Sequence, residues 1–298
     1  MILQRLLNKS ILELRKAGIP TPELDVRVLL VAAMAKQDAF VYAHPDFLVT
    51  NAQYAKFRRY IRKRKKGEPI AYILGHKEFY GYSFLVNKNV LIPRPESEWL
   101  VETGISFLQN YESRIMNNGK HDINILDMGT GCGCLAISIS KELQSKNYQL
   151  PTKIFAVDSC KRAIVVAKKN SRLLKPVHST LFLNSNLFEN IRIKNKKFNL
   201  IIANLPYVPP RLKKIKSSID FEPQDAIFAG NNGTGIIKKF LSGSKNHIER
   251  DAFILLELDP RNALDLLKYS REIFPAAKID LHKDLAGHNR YLSITIKK

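Results

Sequence analysis

The sequence has few cysteines, no long apolar run and no recognisable leader. Its 298 residues include three cysteines, Cys132, Cys134 and Cys160. They are too few and too irregularly spaced for a disulfide framework, and no Cys or His cluster completes a metal site. No apolar stretch approaches the length that crosses a bilayer, and the N-terminus lacks the apolar core and cleavage site of a signal peptide. We therefore expect a cytoplasmic protein that binds neither a membrane nor a metal.

Acidic residues are scarce relative to basic ones. The chain carries 48 Lys and Arg against 27 Asp and Glu, a formal net charge of +21, and eight of the eleven residues in the basic run Lys56–Lys66 are Lys or Arg. Such a run can follow a phosphate backbone, but it also suits the last turn of a helix that ends at Gly67. Direct nucleic-acid binding is therefore possible but not favoured, because an acidic protein partner, or a substrate near RNA, explains the same charge.

The hydrophobic pattern divides the chain into three parts. Residues 1–70 carry apolar residues at helical spacing, which predicts a small helical domain. Residues 71–92 change to aromatic and β-branched residues with Gly75 and Gly81, which predicts a connecting β-hairpin. In residues 93–298, strands alternate with helices, which predicts an α/β domain with a doubly wound, mostly parallel sheet.

The last third of the chain predicts four further segments of regular structure. The pattern indicates a helix from Gly235 to about Ile248, a strand over Phe253–Leu258 and a helix over Arg261–Phe274. The runs Lys278–Leu281 and Tyr291–Ile296 are typical of a closing pair of strands.

A glycine-rich segment joins a buried strand to a helix. The strand covers Ile123–Asp127, the helix begins near Leu135, and Gly129, Gly131 and Gly133 lie between them with Thr130 and Cys132. A dinucleotide fingerprint would read G-x-G-x-x-G, whereas these glycines alternate as G-x-G-x-G. The carboxylate of Asp127 suits a ligand with an ammonium and a sulfonium group better than one with two phosphates. The segment therefore predicts a site for S-adenosylmethionine.

A second carboxylate follows the next strand. Lys153–Val157 reads as a strand that ends at Asp158, where a carboxylate can bind both hydroxyls of a ribose. The alternative is a cap on the helix over Lys161–Leu174. The third strand, Thr180–Leu183, leads into the polar segment Asn184–Phe188, which we place over the same crevice.

The segment Asn204–Tyr207 follows the apolar strand Phe198–Ala203. An enzyme that methylates a planar amide or aminopurine nitrogen must hold it in line with an activated methyl group and polarise its N–H bonds. The side-chain oxygen of Asn204 and the backbone carbonyl of Leu205 can accept these N–H groups. Pro206 fixes the turn and Tyr207 can stack on the planar group. The alternative is an ordinary exit from a strand into a turn, but together with the glycine segment the pattern predicts a methyl-transfer site.

Longer motifs extend along almost the whole chain, at Glu68–Gly75, Glu78–Gly81, Val90–Glu98, Phe221–Pro223 with Phe228–Gly230, and Asp284–Gly287. Together they resemble the HemK/PrmC family, the protein-glutamine methyltransferases of class 1 peptide chain release factors. The resemblance implies the seven-stranded fold of class I S-adenosylmethionine-dependent methyltransferases. It also implies a substrate, the side-chain amide of the Gln in the release factor's Gly-Gly-Gln motif, methylated at N5.

Carried over by residue, the resemblance places the cofactor loop at Gly129–Gly133, the ribose carboxylate at Asp158 and the substrate-amide site at Asn204–Tyr207. It places the adenine side at Asn186 and Leu187. Two departures stand out: the family's usual Asn-Pro-Pro-Tyr is Asn-Leu-Pro-Tyr here, and Asn186 and Leu187 replace an acidic residue and a common aromatic. Since residue 205 would act through its carbonyl, we expect the chemistry to survive the first departure.

Three alternatives remain open. The Asn-Leu-Pro-Tyr form also resembles ribosomal RNA adenine dimethyltransferases, which would hold an adenine N6 after the base leaves its stack. Those enzymes generally begin with the cofactor domain, whereas here the helical domain comes first. A related ribosomal-protein glutamine methyltransferase is a nearer alternative, and a silent RNA-binding or scaffold protein that keeps the fold is the third.

Overall fold

The computed structural model of the chain describes residues 1–115, 122–209 and 218–297. It divides into two compact units, one comprising Met1–His76 with Lys216–Phe221 and the other comprising Lys77–Ile215 with Glu222–Lys298. Parts of the predicted 93–298 domain, at residues 116–121, 210–217 and 298, lie outside the described residues. No described helix combines the length and apolar character that spanning a membrane requires.

In the described part of the first unit, five α-helices pack around one apolar core. They are α1 (Leu3–Lys16), α2 (Pro22–Met34), α3 (Asp38–Ala43), α4 (Asn51–Lys65) and α5 (Ile70–Leu74). Local sequence explains several of their ends. Pro22 opens α2, where its missing N–H costs nothing, and Thr50 and Gln53 form a reciprocal capping box at the start of α4. Leu6, Leu29 and Phe57 are among the residues that fill the core.

Much of the basic run on α4 is engaged within this unit. Arg64 is buried and donates to Asp25 at 2.6 Å, while Arg58 and Lys65 both pair with Glu13, at 2.6 and 3.1 Å. The hydrogen bond from Arg58 is the main reason that the pKa of Glu13 is lowered. These cations therefore hold helices together, and only part of the run remains available to an external partner.

The predicted hairpin is present but shorter than 71–92. Its strands are β1 (His76–Phe79) and β2 (Tyr82–Leu85), whereas residues 71–74 belong to α5. The prediction was wrong for these residues because a five-residue helix has too few turns to show a periodicity. Gly75, with φ +84°, ends that helix in the left-handed conformation.

The second unit is built on one seven-stranded sheet, as the resemblance implies. Its strands are β3 (Ile123–Met128), β4 (Thr152–Asp158), β5 (Ser179–Asn184), β6 (Phe198–Ala203), β7 (Ile248–Glu257), β8 (Lys278–Lys283) and β9 (Asn289–Ile296). The order across the sheet is β5-β4-β3-β6-β7-β9-β8. The first five strands pair in parallel, and β9 pairs antiparallel with both β7 and β8. This confirms the mostly parallel sheet and its closing strand pair.

Helices cover both faces of this sheet, so its parallel strands are apolar on both sides. They are α6 (Glu98–Ile115), α7 (Cys134–Ser145), α8 (Lys161–Leu174), α9 (Gly235–Ser244) and α10 (Ala263–Ile273). On one face, α6 approaches so closely that a Cβ at Gly104 would lie 3.2 Å from Leu200. On the other face, Ile201 and Ile254 share a core cluster with α9 and α10.

Two predicted boundaries near β7 were wrong. The helix from Gly235 ends at Ser244 rather than near Ile248, and β7 begins at Ile248 rather than at Phe253. The first half of β7 carries the charged residues 249–251 and pairs across a register shift next to Phe198. Backbone pairing with β6 extends the strand over these charged residues, so the hydrophobic pattern alone does not predict where the strand begins.

Candidate active site

The candidate site is a cavity of about 460 Å³ at the carboxyl ends of the parallel strands. It lies where β4 and β6 flank β3 on opposite sides, the point at which α/β sheets generally bind ligands. Among the residues predicted from sequence, those that line it are Gly129, Gly131, Asp158, Asn186, Leu187, Asn204, Leu205 and Pro206.

The glycine segment turns tightly between β3 and α7. Gly129, Gly131 and Gly133 have φ of +80°, +55° and +86°, values that L side chains rarely adopt. A Cβ at Gly131 would meet no atom of the described residues within 4 Å, so this glycine leaves open space at the cavity wall. A Cβ at Gly133 would lie 3.2 Å from the Cβ of Ala167, which shows that α8 packs directly on the loop.

Asp127 supports this loop from beneath and does not line the cavity. Its Oδ2 accepts from the Thr130 hydroxyl at 2.6 Å and from the Ala136 N–H at 3.2 Å. Its Oδ1 is buried and has no hydrogen-bond partner among the residues that the structure describes. Burial raises the pKa of this carboxyl to about 7. Cys132 and Gly133 belong to the same supporting layer, where the Cys132 carbonyl accepts from Asn170 at 2.8 Å.

Asp158 reaches the cavity from the tip of β4. One oxygen accepts from the Gly131 N–H at 2.9 Å and the other from the Cys160 N–H at 2.8 Å. The N-cap of α8 is Cys160, so Asp158 is not the capping residue itself. Burial raises its pKa. Because a carboxylate oxygen can accept more than one hydrogen bond, both oxygens keep capacity for a ligand's hydroxyl groups.

The segment after β5 forms the opposite wall. Leu187 adopts a left-handed conformation with φ +48°, and its carbonyl accepts from the Ser185 hydroxyl at 2.8 Å. Asn186 donates its Nδ2 to Glu189 at 2.9 Å, which leaves Oδ1 as the acceptor of this amide. An acceptor at this position can take the place of the carboxylate that the family resemblance leads one to expect.

Asn204 is held by two acceptors behind it. Its Nδ2 donates to the Ser97 hydroxyl at 2.8 Å and to Glu257 at 3.0 Å. Tyr207 donates its hydroxyl to the other oxygen of Glu257 at 2.8 Å, and Ser97 donates to Glu257 at 2.6 Å. Asn204 lines the cavity, whereas Tyr207 does not. The tyrosine hydroxyl therefore forms its hydrogen bond to Glu257 on the buried side of the turn.

The side chain of Leu205 is also part of the site. It is buried, and a Cβ at Gly129 would lie 3.0 Å from its Cδ2. The turn that presents the Leu205 carbonyl is therefore packed against the glycine segment. A similarly close approach occurs at Gly233, where any Cβ would collide with the Tyr207 carbonyl oxygen.

Comparisons with known proteins agree with this geometry. A family model described as PrmC N-terminal domain matches residues 5–75, and one described as Methyltransferase small domain matches residues 107–219. The release factor glutamine methyltransferase of Rhodopirellula baltica is 33% identical over 282 residues, covering 94% of this chain and 91% of that protein. The chain belongs to the release factor glutamine methyltransferase family.

Other members of this family align just as completely. The release factor glutamine methyltransferase of Buchnera aphidicola subsp. Acyrthosiphon pisum is 30% identical and spans 100% of this chain and 99% of its own length. The chain also matches a bifunctional methyltransferase of Rickettsia bellii, at 32% identity, but spans only 55% of it. Among solved structures, the hMettl16 catalytic domain in complex with MAT2A 3'UTR hairpin 6 superposes with a TM-score of 0.52 at 15% identity, covering 73% of this chain and 76% of that one. That similarity shows the fold.

Two polar residues of this family member's site escaped the sequence reasoning. Ser97 lies within a motif quoted for the resemblance, and Glu257 ends β7, the strand next to β6. The signal for Glu257 was present, because a carboxylate at the carboxyl end of a buried parallel strand is the same feature that identified Asp127 and Asp158. Ser97 gave no such signal, since it meets Asn204 only through a contact between residues 107 positions apart.

Proposed function

We propose that this chain transfers a methyl group from S-adenosylmethionine to the side-chain amide nitrogen, N5, of the Gln in the Gly-Gly-Gln motif of class 1 release factors. The observation that carries the proposal is the arrangement of Asn204, whose Nδ2 is occupied by Ser97 and Glu257. Only its Oδ1 is then left to meet a ligand, and a primary amide offers the N–H groups that such an acceptor requires.

The cavity fits the proposed cofactor. Its glycine wall has space where Gly131 lacks a side chain, and the carboxylate of Asp158 suits ribose hydroxyls. Asn186 Oδ1 can accept from an adenine amino group. Asp127 supports the loop from beneath through its bonds to Thr130 and Ala136. When bound, S-adenosylmethionine supplies a methyl group activated by its sulfonium.

The residues of the turn hold and polarise the nitrogen that is methylated. Asn204 Oδ1 and the Leu205 carbonyl accept the two N–H groups of the substrate amide, which reduces its resonance and directs the nitrogen lone pair toward the cofactor side. Pro206 restricts the turn, and Tyr207, which does not line the cavity, holds the turn from its buried side through its bond to Glu257. No strong base is needed, since the nitrogen loses its proton to solvent after it has been alkylated.

The helical domain is the proposed substrate-recognition element. We propose three parts, a helical domain that includes α5, the connecting hairpin β1–β2 and a methyltransferase domain. A release-factor substrate implies a cytoplasmic enzyme. Direct nucleic-acid binding stays unfavoured, because Arg58, Arg64 and Lys65 of the basic run are engaged in ion pairs within the protein.

Transfer of labelled methyl groups to a purified release factor tests this function. The protein is incubated with labelled S-adenosylmethionine and nuclease-treated release factor, and a release factor with Ala in place of the motif Gln serves as the matched control. We expect label in the first protein and none in the second. Equal labelling of both, or loss of labelling after nuclease treatment, would refute the assignment.

A further inference from the structure

Glu257 accepts three hydrogen bonds, all from neutral groups. Its Oε2 accepts from Ser97 at 2.6 Å and Asn204 at 3.0 Å, and its Oε1 accepts from Tyr207 at 2.8 Å. The residue is 1% exposed. Two of the three donors belong to the turn that holds the proposed substrate amide, so this carboxylate connects most of the polar groups behind the site.

Arg290, a cation within electrostatic range of this carboxylate, is paired with Asp284 at 2.9 Å. Among the described residues, no ion pair to Glu257 is present. A buried carboxylate satisfied only by neutral donors costs stability, and replacing such a group by an apolar one is often neutral or stabilising. The arrangement therefore calls for an explanation other than stability.

The directions of its hydrogen bonds explain why a carboxylate is present at this position. A carboxylate can only accept, so Ser97, Asn204 and Tyr207 must all donate to it. The Ser97 hydroxyl has one proton, which it gives to Glu257, and its lone pair then takes the second Nδ2 proton of Asn204. The two ends of a primary amide are almost identical in shape, and this network leaves only one orientation of Asn204.

We infer that Glu257, together with Ser97, is a positioning residue that fixes the Asn204 amide with Oδ1 toward the substrate nitrogen. The inference rests on the proposed function, in which Oδ1 accepts a substrate N–H. If Asn204 were reversed, its Nδ2 would oppose the substrate N–H groups, donor against donor. Tyr207 donates to the same carboxylate, so Glu257 fixes the positions of the Asn204 amide and the Tyr207 side chain together.

A series of variants separates positioning from general stability. Glu257→Leu removes the acceptor, whereas Glu257→Gln can turn its NH₂ toward the Tyr207 hydroxyl and keep an oxygen for Ser97 and Asn204. Ser97→Ala removes one acceptor of Asn204 and Ser97→Thr restores the hydroxyl. Asp259→Asn is the matched control, because it alters a buried carboxylate two residues further on, paired with Arg261 and outside the cavity wall.

We expect Glu257→Leu to lower kcat by about a hundredfold, in the range of losing one preorganised polar contact, with KM for S-adenosylmethionine changed less than about threefold. Glu257→Gln and Ser97→Thr should recover most of the rate that Glu257→Leu and Ser97→Ala lose. A drop in kcat no larger than that of Asp259→Asn, or a parallel rise in KM for the cofactor, would overturn the inference. An inactive wild-type protein would instead count against the proposed function.

A second measurement reads the amide directly and needs no substrate. In protein carrying isotope-labelled asparagine, the Nδ2 protons of Asn204 are identified by their absence from an Asn204→Ala variant. We expect them to be protected from solvent exchange in the wild type and in Glu257→Gln, and to exchange rapidly in Glu257→Leu. Unchanged protection in Glu257→Leu would show that the carboxylate does not hold the amide.

Discussion

Asn204 has both Nδ2 protons engaged, at 2.8 Å by Ser97 and at 3.0 Å by Glu257, so it presents an acceptor to the cavity. Asparagine is well suited to this task because one end of its amide can be anchored while the other binds. An aspartate would accept a substrate N–H equally well but would place a second negative charge beside Glu257. The residue type therefore follows from its buried neighbours as much as from the substrate.

Substitution of Asn204 tests its role in the reaction. Asn204→Ala removes the acceptor and should lower kcat by about a hundredfold or more, as expected for one preorganised contact. Cofactor affinity should change little and the protein should stay folded, because the side chain lies at the cavity wall. Steady-state kinetics with a release factor, alongside calorimetry of cofactor binding, measures both. Near-normal turnover in this variant would refute the mechanism.

Asp127 makes folding stability depend on pH. Burial raises its pKa from 3.8 to about 7, so between these values the folded state keeps a proton that the unfolded chain has released. The contribution of Asp127 to the free energy of unfolding then falls as the pH rises from about 4 to about 7. At roughly 1.4 kcal/mol for each pKa unit, the decline reaches a few kcal/mol.

Asp127→Asn removes this titration and should flatten the decline. Some slope should remain, because burial also raises the pKa of Asp158 and of Glu257. Denaturant unfolding of the cofactor-free protein at several pH values compares the two curves. Equal slopes in the two proteins would show that Asp127 is ionised in the folded state.

At the scale of elements, the turn after β6 is packed against the turn after β3. Leu205 supplies the contact, since its side chain is buried and approaches the position of a Gly129 Cβ to 3.0 Å. Leu205→Ala keeps the backbone carbonyl but leaves a cavity, so we expect stability to fall by about 2–5 kcal/mol and the cofactor-bound form to retain methyl transfer. Denaturant unfolding and turnover at saturating cofactor measure these effects.

Leu205→Pro is the informative companion to that variant. It restores the family's usual tetrapeptide, preserves the carbonyl and replaces the leucine side chain with a smaller ring. We expect activity to be kept, with a smaller loss of stability than in Leu205→Ala. Abolished transfer with intact cofactor binding would mean that the leucine side chain itself positions the substrate.

The elements that sequence predicted well are those whose patterns are continuous. β3, β4 and β6 are mostly buried and read as short, mainly apolar segments, which bounded them closely. The charged start of β7 and the five-residue α5 lack such patterns, and both were misjudged. At the site, Gly129 and Asp158 could be named because they adjoin strand ends, whereas the Ser97 contact with Asn204 arises only from folding.

At the scale of the whole molecule, the net charge of +21 invites an RNA-binding interpretation. The structure reduces the number of basic residues in the run that are available to bind RNA. Arg58, Lys65 and Arg64 pair with Glu13 and Asp25. In the described part of the chain, Arg59, Arg62 and Lys66 are exposed members of the run, and none of them forms an ion pair.

Replacing Arg59, Arg62 and Lys66 with Gln therefore tests the charge without breaking the helical core. We expect a moderate loss of release-factor methylation that shrinks at high salt, through weaker protein–protein electrostatics. If these residues bound duplex RNA instead, each lost phosphate contact would lower the logarithmic salt slope by about 0.9. Arg58, Arg64 and Lys65 replaced together form the contrasting variant, which should lose stability as well.

Fragment mass spectrometry of the release factor shows directly whether the protein methylates the Gln of the Gly-Gly-Gln motif. A purified class 1 release factor is incubated with this protein and S-adenosylmethionine in the absence of RNA, and the peptide containing Gly-Gly-Gln is sequenced. We expect one added methyl group on the side chain of that Gln, and none when the Asn204→Ala variant replaces the wild type. Methyl groups on another residue, on a ribosomal protein or on adenine of added RNA, with this Gln unmodified, would contradict it.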